Sequence, residues 1–146
     1  MPTRPCTQPD HDDWKRMRTA LWHDQTEADM HAWIARTQSQ TSPAATILAT
    51  TDQGIPIGFV EAGTRSHADG CESSPVAYIE GWYVDPDHRR RGVGAELIRA
   101  AEAWARAQGL TELASDAELE NERSQRAHES LGFQETDRVV LYTKRL

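Results

Sequence analysis

Apolar residues recur at three- or four-residue intervals in several parts of the chain, which is the period of an amphipathic helix. These segments are 14–21, 30–34, 92–108 and 121–132. The third is the longest, and it is followed by Gly109, a residue type that commonly ends a helix. The pattern therefore predicts two short helices near the beginning, one long helix, and a final helix.

Shorter runs rich in β-branched and aromatic residues, bounded by turn formers, are typical of strands. They are 44–51, 57–64, 76–84, 110–116 and 138–144. The first two flank an Asp-Gln-Gly turn and predict an antiparallel hairpin. Because strands and helices alternate after this hairpin, we expect an α/β (α+β) fold with helices packed on a mixed sheet. A chain of 146 residues is the size of one ordinary domain, here 1–146.

The charge balance narrows the choice of partner. The chain has 23 Asp and Glu against 16 Lys and Arg, a formal net charge of −7. This argues against nucleic acids and anionic membranes as partners, and favours a cationic ligand if the acids cluster. No apolar run approaches the roughly 20 residues of a membrane span, and the first residues lack a signal-peptide core, so we expect a cytoplasmic protein.

The cysteines and histidines do not predict a metal site. Cys6 and Cys71 form no Cys-x-x-Cys pair, and the six histidines show no His-x-x-x-His or His-Glu-x-x-His spacing. We therefore expect free thiols and no metal.

A Gly-rich turn between the strand 76–84 and the helix 92–108 carries the sequence Asp-Pro-Asp-His-Arg-Arg-Arg-Gly-Val-Gly-Ala. Backbone N–H groups at the start of a helix are unpaired, and the helix dipole adds positive charge there. Gly92 and Gly94 permit close approach, so the turn suits a diphosphate. The spacing matches neither a P-loop nor a dinucleotide fingerprint. Taken alone, the turn fits a solvated basic loop equally well.

Residues elsewhere in the chain favour the anion-binding interpretation of this turn. Arg89-x-x-Gly92-x-Gly94, followed by Asn121 and a later Gly-Phe pair, resembles the signature of the GNAT superfamily of N-acetyltransferases. The resemblance implies that the turn binds the pyrophosphate of acetyl-CoA and that its pantetheine arm pairs with a splayed strand, bulged near Gly81. The cofactor-binding residues implied are Trp82, Tyr83, Val84, Arg89, Arg90, Arg91, Gly92, Val93, Gly94, Ala95 and Asn121. For Asn121, capping of its helix is an equally good interpretation.

Segments scattered from Leu21 to Arg145 are similar to aminoglycoside 6'-N-acetyltransferases. They are Arg-Thr-Ala-Leu-Trp-His-Asp, Gly-Cys-Glu-Ser-Ser-Pro, Ile-Glu-Gly-Trp-Tyr-Val, Leu-Ala-Ser-Asp-Ala-Glu-Leu-Glu-Asn and Leu-Gly-Phe-Gln-Glu-Thr-Asp-Arg-Val-Val-Leu-Tyr-Thr-Lys-Arg. The similarity implies that the acceptor is the 6'-amine of an aminoglycoside antibiotic and that the protein is a homodimer.

Glu80 is the principal catalytic candidate. An aminoglycoside is a polycation, and binding it requires carboxylates that face one cleft. Strict alternation places Glu80 on the same strand face as Tyr78 and Trp82. Because an ammonium has no lone pair for attack, we expect Glu80 to take the proton of the substrate amine, directly or through water. The alternative is an exposed edge residue or a buried structural ion pair.

The resemblance implies further substrate contacts, at Trp22, His67, Asp116 and Asp137, with Glu135 as a companion of Asp137. Each also has an ordinary structural interpretation. Trp22 fits core packing, Asp116 fits a capped turn, and Asp137 fits a solvated edge.

The expected reaction is direct attack of the free amine on the thioester, with a backbone N–H near Trp82 or Tyr83 stabilising the oxyanion. Cys71 has no apparent base partner, which disfavours a covalent cysteine intermediate. Many GNAT enzymes carry a tyrosine on the last helix to protonate the thiolate, and this sequence has His128 there. His128, a water molecule or no acid at all are the alternatives.

Two other functions fit the same cofactor turn. One is acetylation of a polyamine, another small amine or a protein amino terminus. The other is a non-catalytic acyl-CoA-binding module, which the intact glycines and the glutamate within the strand disfavour.

Overall fold

The computed structural model describes residues 2–146, and a five-stranded mixed sheet forms its centre. The strands are β1 (Thr3–Pro5), β2 (Ala45–Thr50), β3 (Pro56–Arg65), β4 (Val76–Val84) and β5 (Leu113–Ala114). They lie in the order β1-β2-β3-β4-β5, with antiparallel neighbours except for the parallel pair β4 and β5.

Helices cover both faces of the sheet. They are α1 (His11–Leu21), α2 (Glu27–Thr37), α3 (Val93–Ala107) and α4 (Glu122–Ser130), with short 3-10 turns at Gln8–Asp10 and Pro86–His88. Residues of α1 and α2, among them Trp14 and Met30, pack with Phe59 on one face. Residues of α3, among them Leu97, pack with Val60 on the other. This architecture confirms the expected mixed α/β fold.

A β-bulge interrupts the pairing of β3 with β4. Glu61 pairs with Gly81, but the next residue of β3, Ala62, pairs with Ile79. Glu80 is therefore the extra residue on β4, with no partner opposite it. Because a bulge places two residues against one, the alternation of side chains is broken at this point.

The strand predictions at the ends of the chain differ from the structure. β1, which pairs with β2, was not predicted, and β5 is far shorter than 110–116. The predicted strand 138–144 is wrong, since residues 131–146 contain no helix or strand. No neighbouring strand meets it within this chain, and its apolar side chains are exposed: Val139 55%, Val140 66%, Leu141 86% and Tyr142 88%.

The predicted absence of a membrane span can be compared with the helices of the described chain. Between residues 2 and 146, no helix is both long enough and apolar enough to cross a membrane.

Candidate active site

A cleft of about 350 Å³ opens between α1, α2 and β4. Its lining residues are Arg18, Trp22, Asp24, Gln25, Asp29, Trp33, Arg36 and Glu80. Carboxylates and tryptophan rings thus share one concave surface. Such a surface can pair with ammonium groups and pack against the apolar faces of a ring.

Glu80 lines this cleft from the bulge of β4, where it has no partner on β3. Arg65 donates to both carboxylate oxygens, from Nε to Oε1 at 2.8 Å and from Nη2 to Oε2 at 2.9 Å. Arg36 adds a second positive charge, with Nη1 at 3.9 Å from Oε1. The carboxylate is therefore held in one orientation beside the cleft.

The predicted relation between Glu80 and Trp82 is wrong. Trp82 packs on the α3 side of the sheet and donates its indole Nε1–H to the Gly94 carbonyl at 3.2 Å. Glu80 lies on the opposite side, with α1 and α2. The bulge supplies the extra residue that reverses the alternation between them.

Asp116 joins Glu80 through a short chain of contacts. The Tyr78 hydroxyl donates to Asp116 Oδ2 at 2.6 Å, and the Arg65 guanidinium lies 3.5 Å from the centre of the Tyr78 ring. Burial and the neighbouring Asp116 raise the pKa of Tyr78, so the phenol stays a donor. The structure thus links two predicted substrate-binding acids through Tyr78 and Arg65.

Trp22 forms a wall of the cleft and also packs on the core. A Cβ atom added at Gly81 would lie 2.5 Å from Trp22 Cη2, so the indole rests directly on the β4 backbone next to Glu80. Trp22 also meets Phe59 edge-on, with 6.2 Å between ring centres. The structure thus shows the core packing of Trp22, and its contact with a substrate stays a prediction.

His67 and Asp137 lie outside the lining of the cleft. His67 is exposed, with Nε2 at 3.4 Å from Asp69 Oδ1. Asp137 accepts from the backbone N–H of Arg138 at 2.8 Å, and Glu135 pairs with the Arg138 guanidinium. The structure does not bring these three side chains to Glu80.

The turn between β4 and α3 has the backbone of an anion site. Gly92 has φ +82° and Arg90 has φ +61°, and α3 begins at Val93. A Cβ at Gly92 would meet no heavy atom within 4 Å, so the positive φ is what favours glycine there. The amides of the first turn, up to Ala95, lack partners within the helix and suit a phosphate.

The three arginines of the turn have different environments. Arg89 turns inward, donating from Nε to the Val84 carbonyl at 2.7 Å and lying 5.6 Å from the centre of the Tyr83 ring. Arg90 and Arg91 are exposed. Arg89 therefore ties the turn to the end of β4, and the other two carry the free positive charge.

The edge of β4 beside this turn is open. β4 pairs with β5 only at Ala77 and Tyr78, so no strand covers that edge near Trp82 and Val84. The side chain of Tyr83 is buried on the α1 side. An extended chain with amide groups fits this edge, as the pantetheine arm of acetyl-CoA requires.

His128 lies beside this open edge, on α4. Its ring meets Trp82 and Phe133 edge-on, at 5.2 and 5.1 Å between ring centres. Nδ1 lies 2.7 Å from the Ser124 carbonyl, which can only accept, so Nδ1 carries a proton. Nε2 lies 2.8 Å from Ser115 Oγ, and in the neutral ring it accepts from that hydroxyl.

Asn121 caps α4, since its side-chain oxygen accepts from the Ser124 N–H at 3.1 Å. This is the ordinary structural interpretation of Asn121. Asn121 is exposed, and its contact with the cofactor stays a prediction.

Sequence reasoning missed Arg36, Arg65 and Ser115. Arg65 reaches Glu80 only because the antiparallel register of β3 and β4 runs its side chain over Tyr78. The signal available in the sequence was an arginine directly after the predicted strand 57–64. Assigning this arginine to Glu80 requires the pairing register of β3 with β4.

Within residues 2–146, no grouping of three or more His, Cys, Asp or Glu side chains is arranged to hold a metal ion.

The model of the acetyltransferase (GNAT) family matches residues 11–133, which include the cleft, the Gly-rich turn and α4. The chain belongs to the GNAT acetyltransferase family. This confirms the resemblance seen in the turn.

Named members of the GNAT family resemble the chain over almost its whole length. Aminoglycoside N(6')-acetyltransferase type 1 of Klebsiella aerogenes is 43% identical over 145 residues, covering 98% of this chain and 95% of the relative. The apo crystal structure of aminoglycoside antibiotic 6'-N-acetyltransferase AAC(6')-IG from Acinetobacter haemolyticus is 41% identical, covers 100% of this chain and 99% of that one, and has a TM-score of 0.87.

A third GNAT relative is AAC(6')-Iy, solved in complex with the bisubstrate analogue CoA-S-monomethyl-acetylneamine. It is 37% identical, covers 99% of this chain and 98% of that one, and has a TM-score of 0.89.

Proposed function

We propose that this GNAT protein transfers the acetyl group of acetyl-CoA to the 6'-amine of aminoglycoside antibiotics and thereby confers resistance to them. The observation that carries the proposal is the position of Glu80, in the bulge where the acid-lined cleft meets the open edge of β4. The similarity to named 6'-N-acetyltransferases, at 43% identity over almost the whole chain, supports this acceptor class.

The donor side uses backbone more than side chains. Residues 90–95 present amide groups and the positive end of α3 to the pyrophosphate, with Arg90 and Arg91 adding charge. The open edge at Trp82–Val84 offers hydrogen-bonding groups to the pantetheine arm. The cosubstrate supplies a thioester, whose carbonyl carbon is the electrophile.

The acceptor side is the cleft around Glu80. Glu80 binds the 6'-ammonium and takes its proton, which frees the lone pair for attack. Asp24 and Asp29 lie in the same cleft and pair with other ammonium groups, and Trp22 packs against a sugar ring. Asp116 extends the acidic surface through its bond with Tyr78.

His67 and Asp137 remain proposed contacts of a bound substrate, although neither side chain lines the cleft. The loop of His67 and the segment of Asp137 contact each other, since the Thr136 hydroxyl lies 3.5 Å from the Asp69 carbonyl.

The transfer itself needs no covalent enzyme intermediate. A backbone N–H of β4 near Trp82 or Tyr83 stabilises the negative charge that develops on the acetyl oxygen. In the imidazolium form, His128 Nε2 carries a proton and lies 2.8 Å from Ser115 Oγ. The Ser115 hydroxyl can then give its proton to the departing thiolate and take one from Nε2, which leaves the imidazole neutral.

The exposed carboxyl-terminal segment supports a homodimer. Val140, Leu141 and Tyr142 follow the sequence pattern of a strand, yet their side chains are 66%, 86% and 88% exposed. β5 is the last strand of the sheet, so its edge away from β4 is free. A second copy of the chain covers this segment in the proposed dimer. We further propose that the protein acts in the cytoplasm, where acetyl-CoA is available.

Release of free thiol from acetyl-CoA tests the proposed function. The acceptors to compare are tobramycin, its analogue with a hydroxyl in place of the 6'-amine, spermine and a peptide amino terminus. The proposal expects rapid release with tobramycin and not with the analogue. Release with spermine or the peptide alone would keep the GNAT assignment and overturn the acceptor. Binding of acetyl-CoA with no release for any acceptor would indicate a binding module.

A further inference from the structure

A buried ion pair joins Arg18, one of the cleft residues, to Glu61, and neither side chain takes part in the reaction as proposed. Glu61 of β3 is only 1% exposed and Arg18 of α1 only 5%. Arg18 Nη1 pairs with Glu61 Oε1, and the same oxygen accepts from Trp14 Nε1 at 3.0 Å. Burial raises the pKa of Glu61 to about 6, although both partners favour its charged form. Burying two charges is costly, so their presence calls for a reason beyond stability.

Two of the remaining contacts of Arg18 are with residues that line the cleft. Its Nε donates to Gln25 Oε1 at 3.0 Å. Its guanidinium lies 4.9 Å from the centre of the Trp22 ring and 5.4 Å from that of Trp14. Gln25 and Trp22 both line the cleft. Only a planar guanidinium can donate in several directions while stacking on indole rings.

Glu61, on the sheet, is also next to residues of the cleft. Glu61 pairs with Gly81 at the last register position before the bulge that carries Glu80. The Trp22 indole rests on Gly81. The ion pair thus connects α1, which carries the cleft wall, to the strand position that sets the bulge.

We propose that Arg18, anchored by Glu61, is a positioning residue for the aminoglycoside site: it fixes Trp22 and Gln25 as a rigid wall opposite Glu80. This role rests on the proposed function, because the ligand of the wall is the acceptor. A wall held in place before binding loses less side-chain entropy when the substrate packs on it. The donor site on the other face of the sheet does not depend on it.

The substitution Arg18→Lys separates positioning from charge. A lysine still neutralises Glu61, so the fold is kept, but it cannot reach Gln25 and Glu61 together or stack flat on Trp22. Arg4→Lys is the matched control. Arg4 holds Asp10 through two hydrogen bonds of 2.7 and 2.8 Å, at the opposite end of α1 from Trp22.

Steady-state kinetics with tobramycin and acetyl-CoA give the first readout. Arg18→Lys should raise KM for tobramycin about five- to tenfold, the scale of one lost polar contact, with KM for acetyl-CoA within about twofold. Arg4→Lys should change neither constant beyond about twofold. Equal tobramycin KM values in the two variants would overturn the inference. If Arg18→Lys does not fold, the paired variant Arg18→Met with Glu61→Leu removes both charges and should show the same rise in KM.

The indole N–H resonance of Trp22, assigned with Trp22→Phe, gives a second readout that needs no turnover. It should shift or broaden in Arg18→Lys and stay in place in Arg4→Lys. An unchanged resonance in Arg18→Lys would overturn the inference whatever the acceptor. If the resonance shifts in Arg18→Lys but the wild-type protein acetylates no aminoglycoside, the positioning of Trp22 is kept and the proposed function is rejected.

Discussion

Arg65 donates two parallel hydrogen bonds to Glu80, 2.8 Å from Nε to Oε1 and 2.9 Å from Nη2 to Oε2. A planar guanidinium facing a carboxylate fixes both its position and its rotation. Arg65 also stacks on Tyr78, whose hydroxyl holds Asp116. Arg65 thus orients the acid on which the proposed chemistry depends and connects it to Asp116.

Replacing Glu80 with Gln should lower kcat/KM for tobramycin by about 10²- to 10³-fold, because a neutral amide neither attracts the ammonium nor accepts its proton. Initial rates across pH 6 to about 9 give the measurement. The control is Asp24→Asn, which removes another cleft carboxylate and should mainly raise KM. If Glu80→Gln keeps the wild-type kcat and its pH dependence while KM rises, Glu80 is a binding residue and not a base.

Replacing Gly81 with Ala should destabilise the protein and weaken tobramycin binding. The new Cβ would lie 2.5 Å from Trp22 Cη2 and 2.9 Å from Cζ2, closer than real contacts allow, so the indole must move. We expect a loss of about 1–3 kcal/mol of unfolding free energy, as for overpacked sites. Urea unfolding and KM measurements check this.

The double variant Gly81→Ala with Trp22→Leu is the control for that steric explanation, since a shorter side chain removes the clash. It should recover part of the unfolding free energy relative to Gly81→Ala alone. No recovery would mean that the cost comes from the β4 backbone and not from Trp22.

The helices and the three long strands have regular local patterns and were predictable, whereas the short strand β1 and the fate of the segment 138–144 were not. Helix α3 has an apolar face along its whole length, so periodicity sufficed. β1 has three residues and gains its structure only from β2. The segment 138–144 has the composition of a strand but no partner within the chain, and composition cannot supply one.

The site was predictable to the same extent. Glu80 stood out as a glutamate in an apolar strand, and the Gly-rich turn was identified by its spacing together with Asn121 and the later Gly-Phe pair. The prediction that Glu80 and Trp82 share one strand face was wrong because one bulged residue reverses the alternation of side chains. The position of a bulge follows from the pairing register of the strands. Arg65 needed the same register information before it could be assigned to Glu80.

Replacing Asp10 with Asn should cost about 1.5–3 kcal/mol of unfolding free energy at pH 7, the range for charged hydrogen bonds. Hydrogen bonds from Arg4 and from Thr7 hold the pKa of Asp10 below its ordinary value of 3.8. A lowered pKa in the folded state stabilises the protein above the unfolded pKa, and the benefit is lost as pH falls through the folded pKa. The advantage of wild type over Asp10→Asn should therefore shrink below about pH 4.

Urea unfolding at pH 7 and at pH 3 measures this difference. Asp12→Asn, an exposed neighbour in the first turn of α1, serves as the control and should show little effect at either pH. An advantage of wild type that stays constant or grows at pH 3 would contradict the role given to the pair of Arg4 and Asp10.

Replacing His128 with Gln should lower kcat about 10- to 100-fold, at the lower end of general acid catalysis, and leave KM for both substrates within about threefold. The paired His128 and Ser115 then no longer deliver a proton to the thiolate. Rates with an acetyl thioester of a more acidic thiol give the decisive comparison, since a better leaving group needs no proton. An equal defect with both donors would reject His128 as the general acid.

Replacing Val140 and Leu141 with Ser should convert the proposed dimer to monomers, because the substitutions remove the apolar surface that a second copy covers. Light scattering on size-exclusion fractions gives the mass directly, to be compared with the 16.4 kDa chain. A wild-type protein that elutes as a monomer at micromolar concentration would contradict the dimer. A dimer that survives both substitutions would place its interface elsewhere.

The central claim concerns which nitrogen receives the acetyl group, and the structure of the reaction product tests it most directly. Wild-type protein, acetyl-CoA and tobramycin are incubated to completion, and the product is analysed by two-dimensional NMR. The proposed function predicts a single acetyl group on the 6'-amine, seen as a correlation between the new amide proton and the 6'-methylene. An acetyl group on any other amine, or a mixture of positions, would contradict it.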